Sequence, residues 1–210
     1  MINKNAWLVR PYPNNMSRIE EFQAQNIIAI GWPGIGDLNG KTKQDIREIL
    51  SREPYDYTGL ALGNACACVD IFVNQMHAGD FVLTPDGDNI HLGVIESDYF
   101  FNPEFDELEV GYSHQREVKW CNKLSRDALS KNLRSSLKVH RTTANLSAHC
   151  AEIEALCLGK SVPVSVVETS VKISYPLRPD FSINFEVPSD MTKEEAERLN
   201  TFISTLYFRD

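Results

Sequence analysis

Residues 79–95 read GDFVLTPDGDNIHLGVI. Two runs rich in apolar and β-branched residues, 79–84 and 90–95, flank the tetrapeptide Pro-Asp-Gly-Asp. Two strand-forming runs joined by a short turn that contains Asp-Gly are typical of a β-hairpin. The stretch therefore predicts two antiparallel strands, and it places a β-sheet in the middle of the chain.

Further strands and helices are predicted on both sides of this hairpin. Short apolar runs bounded by turn residues predict strands, and apolar residues at helical spacing behind capping residues predict helices. The predicted strands are 7–10, 27–32, 116–120 and 137–140, and the predicted helices are 17–25, one beginning at Thr42, 60–75 and one ending at Leu156. Short strands joined by tight turns, with helices inserted early, indicate an α+β fold around a small mixed barrel.

The best candidate for a domain boundary is the stretch 159–163. The sequence therefore predicts a first domain of residues 1–159 and an appendage of residues 160–210. In the appendage, 162–173 is rich in β-formers, and Thr192 with Glu195 predicts a capping box for a helix over 192–206. A strand-plus-helix segment of this size buries little apolar surface by itself, so we expect it to pack on the first domain or on a partner.

The composition is that of a folded, acidic protein. The 210 residues are 42% apolar and carry a formal net charge of -8, which argues against a general nucleic-acid coat but allows a local basic face. No apolar run approaches the ~20 residues of a membrane helix, and no signal peptide is expected at the polar start. The five cysteines show neither zinc-site spacing nor C-x-x-C, so the sequence predicts reduced thiols, no cofactor, no metal and a cytoplasmic location.

Five phrases in a fixed order carry a resemblance to a known family. They are WLVR at 7–10, IAIGW at 28–32, AGDFVL at 78–83, LGVIESDY at 92–99 and HQREVKW at 114–120. Together they resemble the N-terminal domains of Mrr-type restriction proteins, which belong to the EVE-like branch of the PUA superfamily. The resemblance covers residues 6–157.

This resemblance implies a PUA/EVE-like pseudo-barrel with surrounding helices that recognises nucleic acid and accommodates a flipped, often methylated, base. It implies a DNA-binding protein of a restriction or antiviral defence system, without catalysis of its own and with DNA favoured over RNA. In restriction proteins such a domain directs a nuclease or motor, so residues 160–210 are expected to contact an effector protein.

A base reader needs aromatic faces for stacking and a few hydrogen-bonding groups for the base edge. The base-pocket candidates are Trp32, Asp98, Tyr99, His114 and Trp120, at strand ends that the resembled fold brings together. Asp98 is suited to accept from a base amino group. The alternatives are that the tryptophans are core residues and that Asp98 stabilises a turn.

Charge is unevenly distributed along the sequence. Residues 80–109 hold nine acidic residues and no Lys or Arg, whereas 116–141 holds eight Lys or Arg and two acidic residues. A basic segment inside an acidic protein is typical of a localised phosphate contact, and a solvated surface is the alternative. The phosphate-binding candidates are Arg10, Arg116, Lys119, Lys123, Arg126 and Arg134.

Two other functions remain open. Asp86 after Pro85, with Glu117 and Lys119, matches the loose pattern of a metal-dependent nuclease, in which the Asp and Glu share a metal ion. A hairpin turn explains Asp86 better. In the other alternative the chain is a regulatory subunit, whose barrel senses a nucleotide-like ligand while residues 160–210 dock a defence effector. The sequence favours the non-catalytic reader of a modified base.

Overall fold

The computed structural model describes residues 4–108, 110–160, 170–188 and 191–205. The chain forms two compact units, Met1–Val162 and Pro163–Asp210. Most of the predicted β-rich stretch 162–173 lies outside the described residues. Within the described ranges, no helix is both long and apolar enough to cross a membrane.

The first unit is α+β, as predicted, and its mixed seven-stranded sheet curls into a half-barrel. The strands are β1 (Ala6–Val9), β2 (Ile27–Ile30), β3 (Phe81–Asp86), β4 (Asn89–Ile95), β5 (Phe100–Phe101), β6 (His114–Ser125) and β7 (Thr143–Asn145). Their order is β2-β6-β4-β3-β1-β7, and β5 also pairs with β6. The β1–β3 pair is parallel and the other pairs are antiparallel.

β3 and β4 form the hairpin that residues 79–95 predict. Phe81 lies opposite Val94 and Asp86 lies opposite Asn89, so Gly87 and its neighbour make a two-residue turn. Gly87 has a φ of +56°. The turn residues are Gly87 and Asp88, within the predicted turn 85–88, and Gly87 supplies the positive φ that such a turn needs at its first position.

β6 is longer than the predicted strand 116–120 and belongs to both halves of the sheet. From His114 to Glu117 it pairs with β2, and from Val118 to Ser125 it pairs with β4. The register shifts between Leu92 and the next residue of β4, where β6 carries an extra residue. Such a bulge bends a strand and increases its twist, which allows β6 to follow the curl of the half-barrel.

Helices cover both faces of this sheet. They are α1 (Ile19–Gln25), α2 (Lys43–Leu50), α3 (Gly59–Asp70), α4 (Lys131–Ser136) and α5 (Cys150–Cys157). The helix predicted from Thr42 is confirmed, with a complete capping box to Asp45. α3 continues into a π-helical turn, Ile71–Gln75, so the predicted span 60–75 is confirmed as well.

The alternation of side chains along β1 divides the apolar residues between two cores. Trp7 and Val9 join the core beneath α2 and α3, and Ala6 and Leu8 join the core beneath α4 and α5. Successive residues of a strand point to opposite faces, so a wholly buried strand such as β1 supplies both cores.

Two local predictions are wrong. Ser17 does not cap α1: its hydroxyl donates to Oδ1 of Asp86, at 3.0 Å, and the helix begins at Ile19 without a side-chain cap. Residues 137–140 are not a strand. They follow α4, and carbonyl oxygens in this turn accept hydrogen bonds from the guanidinium of Arg10.

The prediction that all five cysteines are reduced is also wrong. Cys121, at the bulge of β6, forms a disulfide with Cys157 at the end of α5, with their Cα atoms 5.4 Å apart. The two positions are separated by 36 residues, and a spacing of this kind carries no motif. Disulfides are typical of oxidising compartments, so the cysteines no longer argue for the cytoplasm.

The second unit is described by a hairpin and a helix. The hairpin consists of β8 (Ser170–Arg178) and β9 (Phe181–Pro188). The helix is α6 (Lys193–Ile203), and the capping box between Thr192 and Glu195 is confirmed. This matches the strand-plus-helix content predicted for this part of the chain.

Candidate functional site

A polar cavity of about 260 Å³ opens where four segments of the first unit meet. The segments are the loop after β2, the end of α3, the connection from β4 to β5, and the start of β6. The residues that line the cavity are Asn39, Gly40, Val73, Asn74, Met76, His77, Asp98, Tyr99 and Arg116. Three predicted site residues, Asp98, Tyr99 and Arg116, therefore share one cavity.

Arg116 is buried beneath the cavity, with only 1% of its surface exposed. Its Nε donates to the carbonyl oxygen of Phe72 at 2.8 Å, and its Nη2 donates to that of Val73 at 3.0 Å. Its Nη1 donates to the carbonyl oxygen of Ser97 at 3.1 Å. The last carbonyls of a helix have no donors within the helix, so Arg116 caps the end of the α3 π-turn and ties it to the sheet.

The guanidinium of Arg116 has more N–H donors than these three hydrogen bonds use. A guanidinium has five N–H donors, of which Arg116 uses three in the bonds above, and the residue is among those that line the cavity. Burial lowers the pKa of Arg116 to about 10, against the opposing influence of Asp98, so the group is charged at neutral pH. Arg116 is therefore a buried donor and differs from the exposed phosphate contact that the sequence predicts.

Tyr99 forms a wall of the cavity. Its hydroxyl accepts from the Leu38 amide at 3.2 Å and lies 2.9 Å from Nδ1 of His114. The rings of Tyr99 and His114 are stacked, with an interplanar angle of 22°. Burial raises the pKa of the Tyr99 hydroxyl, which keeps it neutral. A ring fixed at its hydroxyl end presents a defined face, which suits stacking on a flat ligand.

His114 supports Tyr99 and does not line the cavity. It is completely buried, and its Nε2 has no hydrogen-bond partner within the described part of the chain. Burial lowers the pKa of His114 to about 4, although the backbone of Trp32 and the carboxylate of Asp106 oppose the shift. The imidazole is therefore neutral at pH 7, and its contribution to the site is to position the tyrosine ring.

Trp32 shapes the cavity through its backbone conformation and not through its side chain. Its φ is +71°, in the left-handed region that bulky residues rarely adopt. The half-buried ring packs against the core beneath α2 and α3 and is not among the lining residues. The left-handed turn redirects the chain from β2 into the loop that carries Asn39 and Gly40 to the cavity.

Trp120 is also not among the residues that line the cavity. Its Nε1 donates to the carbonyl oxygen of Phe22 at 3.4 Å, and its ring meets that of His91 edge to face. Phe22 belongs to α1, so Trp120 packs between this helix and the sheet, in agreement with the alternative that it is a core residue. Of the rings at 32, 99 and 120, only that of Tyr99 is among the lining residues of this cavity, and all three pack against the core beneath α2 and α3.

The rim of the cavity also carries amide side chains, which no sequence motif predicts. Asn39 and Asn74 are exposed at the cavity mouth, beside the exposed carboxylate of Asp98. The Asn74 amide donates to the Lys41 carbonyl oxygen at 3.2 Å and to Oδ1 of Asp70 at 3.0 Å, so it holds the loop against α3. The one sequence feature that could have indicated Asn39 is the glycine-rich loop 33–40, because glycines let a ligand approach the backbone closely.

Most of the predicted phosphate-binding cations are engaged elsewhere. The Arg10 guanidinium donates to three carbonyl oxygens, Arg126 donates to the Gly87 carbonyl oxygen, and Arg134 pairs with Asp127 at 3.2 Å. Lys119 and Lys123 are exposed on β6 and form no ion pair within the described ranges. Of the six predicted phosphate-binding residues, these two lysines are therefore the exposed ones without an ion pair within the described ranges.

The nuclease pattern is not assembled in the first unit. Asp86 lies at the hairpin turn and accepts from the hydroxyls of Tyr12 and Ser17. Asp86 pairs with Asn89, which lies opposite Ser125, whereas Glu117 lies eight residues earlier on β6. Eight residues of extended chain span roughly 26 Å, too far for a shared metal ion. Among the described residues, no cluster of three metal-ligating side chains occurs.

Comparison with known proteins assigns the chain to a family. No curated protein matches the chain. Residues 7–147, which are more than half of the chain and include the whole cavity, match the family described as Domain of unknown function (DUF8426). The chain therefore belongs to that family.

Proposed function

We propose that this member of the DUF8426 family binds a nucleobase in the cavity beside Tyr99. The observation that carries the proposal is the combination, in about 260 Å³, of an aromatic face with a carboxylate acceptor and a guanidinium donor. Pockets for drug-sized ligands measure roughly 300–1,000 Å³, so this cavity suits a smaller, planar molecule. A base that stacks on Tyr99 places its polar edge against these charged groups.

The charges indicate which bases fit. The carboxylate of Asp98 accepts hydrogen bonds, whereas the remaining N–H groups of Arg116 donate them. A base that carries an exocyclic amino group next to a ring nitrogen or carbonyl acceptor satisfies both groups. Thymine and uracil lack such an amino group and leave Asp98 with fewer donors, so they are disfavoured.

We further propose that the half-barrel is a PUA/EVE-like pseudo-barrel and that the chain is a non-catalytic reader of nucleic acid in a restriction or defence system. The support is the order of the five sequence phrases together with the curl of the sheet. A base inside a duplex must leave the stack to enter such a cavity. Modified bases in DNA are the proposed targets, and Lys119 and Lys123 are the proposed phosphate contacts.

Substitutions in the cavity test the proposed base site. Asp98→Ala removes an exposed acceptor, and we expect it to weaken base binding by about tenfold to a hundredfold, because hydrogen bonds to charged groups contribute about 1.5–3 kcal/mol. Tyr99→Ala is expected to cost a similar factor through lost stacking, whereas Tyr99→Phe retains most of the affinity. The measurement is titration calorimetry with free nucleosides and with short single-stranded oligonucleotides, methylated and unmethylated.

Tyr12→Ala is the matched control, because Tyr12 is an exposed tyrosine that bonds to Asp86 outside the cavity. Equal affinities for wild type, Asp98→Ala and a folded Tyr99→Ala would refute the base site. Binding of free nucleotides without any binding of oligonucleotides would instead support the regulatory sensor.

The two exposed lysines are tested by salt dependence. Replacing Lys119 and Lys123 together with methionine is expected to reduce the slope of log K against log salt by about 1.4 for single-stranded DNA, since each neutralised phosphate contributes about 0.7. Lys131 and Lys138 are exposed on other elements and provide a control pair with the same change in net charge. An unchanged slope in the 119/123 variant would exclude these lysines as phosphate contacts.

A further inference from the structure

The hairpin of the second unit has one apolar face and one polar face. The cross-strand pairs on the apolar face are Val171–Val187, Ile173–Phe185 and Tyr175–Ile183, and Phe181 continues the same row along β9. The pairs on the polar face are Lys172–Glu186, Ser174–Asn184 and Pro176–Ser182. Residues directly opposite each other in an antiparallel pair point to the same side of the sheet. The register of β8 and β9 therefore places the apolar residues on one face and the polar residues on the other.

Most of the apolar face is exposed, although Phe185 is partly buried and Val187 is only 9% exposed. Tyr175 is 58% exposed and Phe181 is 56% exposed. α6 presents a similar stripe, with Phe202 at 60% and Ile203 at 50%. In the described part of the chain, large hydrophobic side chains are more concentrated on this surface than anywhere on the first unit. The apolar row of the hairpin is contiguous across its two strands. An exposed apolar surface of this kind marks an interaction site, and a two-stranded hairpin alone is marginally stable in water.

We propose that the second unit is a dimerisation module, and that the partner on its apolar face is a second copy of this chain. The exposed apolar area of the unit is large enough for a stable dimer interface. The exposed members of the surface are Val171, Ile173, Tyr175, Leu177, Phe181, Ile183, Phe202 and Ile203. Together they expose on the order of 800 Å², which is what each partner contributes to a standard stable interface.

The chemistry of the surface also favours a second copy. The eight members are apolar, and the guanidinium of Arg178 lies over the ring of one of them, Phe181, 6.0 Å from its centroid. Such a surface fits a partner surface that is itself mainly apolar, as the same surface of a second copy is. The unit presents a flat sheet face and a narrow helical stripe, both apolar. In a two-fold arrangement the hairpin of one copy covers α6 of the other, and the same contact is repeated by symmetry. This covers both surfaces at once.

The oligomeric state of the full chain tests the proposal directly. Sedimentation equilibrium or light scattering after size exclusion is expected to give twice the monomer mass at micromolar concentration. Because the surface is apolar, the dimer is expected to persist in high salt, where contacts between exposed charges weaken. A monomeric mass throughout the micromolar range would overturn the proposal, and so would a dimer that dissociates as salt is raised.

Two variants locate the interface. Ile173→Asp and Phe202→Asp place a carboxylate in the apolar surface, and each is expected to weaken dimerisation by at least roughly a hundredfold, because a buried unpaired charge costs several kcal/mol. Ser174→Asp is the matched control: it adds the same charge one residue away, on the polar face of β8, and is expected to leave the dimer intact.

Two outcomes distinguish this contact from others. If all three variants remain dimeric, the chain dimerises through another surface and the proposal is wrong. If the wild type is monomeric and binds a different protein through this face, the proposal is also wrong. Circular dichroism confirms that each variant is folded, and base binding by the first unit provides an independent measure of its integrity.

Discussion

Replacing Arg116 with methionine is expected to lower the free energy of unfolding by about 3–5 kcal/mol, because it leaves three carbonyl oxygens without their donor. Methionine is of comparable length and is apolar, so the substitution removes the three donated hydrogen bonds without opening a large cavity. The carbonyl oxygens of Phe72, Val73 and Ser97 then lose their donor, and each uncompensated buried acceptor costs about 1–3 kcal/mol. These costs are not additive, which is why the expected total is smaller than their sum.

Urea unfolding followed by circular dichroism measures this effect. Lys119→Met is the matched control, because Lys119 lies three residues away on the same strand and is exposed. It is expected to change the free energy of unfolding by less than about 0.5 kcal/mol. Arg116→Lys is expected to recover only part of the loss, since one ammonium lacks the planar fork that reaches three carbonyl groups. Equal stability of Arg116→Met and Lys119→Met would contradict the capping role.

Acidification from pH 6.5 to pH 4 is expected to remove about 3 kcal/mol of stability through His114 alone. Burial lowers the pKa of His114 to about 4 in the folded protein, whereas an unfolded histidine has its ordinary pKa of about 6.5. Between these values the unfolded chain binds a proton that the folded chain does not. The stabilising contribution is therefore complete above pH 6.5 and is lost as the pH falls, at about 1.4 kcal/mol per pH unit.

The test compares urea unfolding of wild type and His114→Phe across this range of pH. Phenylalanine keeps the aromatic contact with Tyr99 and cannot be protonated, so the variant is expected to show a flatter dependence on pH. Some slope remains, because burial also lowers the pKa of His91. His140→Phe is the control at an exposed position and is expected to keep the wild-type slope. The assignment fails if His114→Phe and wild type lose stability equally.

The elements that the sequence predicts well are those whose signal is local. The Asp-Gly turn at Gly87 and the capping boxes at Thr42 and Thr192 depend on residues within a few positions of each other. The same holds for the apolar periodicity of α3. In the turn and the two caps, these residues form a hydrogen bond or adopt a backbone angle that most other residues do not provide, so the local sequence favours one structure.

The site was predictable only in part, because its contacts are distant in sequence. Asp98 and Tyr99 were found through the resemblance, and both line the cavity. Two of the three carbonyl groups that Arg116 contacts lie more than 40 residues away in sequence. Ser17 bonds to a carboxylate 69 residues away and does not cap α1. Periodicity carries no information about such pairings. The disulfide of Cys121 escaped prediction for the same reason.

The π-turn at the end of α3 links the length of this helix to the residue at position 116. Its single turn, Ile71–Gln75, is wider than an α-helical turn, and this width aims two carbonyl oxygens at one guanidinium. Deleting one residue from the turn would rotate these carbonyl groups away, and the guanidinium of Arg116 would lose two of its hydrogen-bond acceptors. In an alignment of the family, a deletion within 71–75 should therefore accompany the replacement of Arg116.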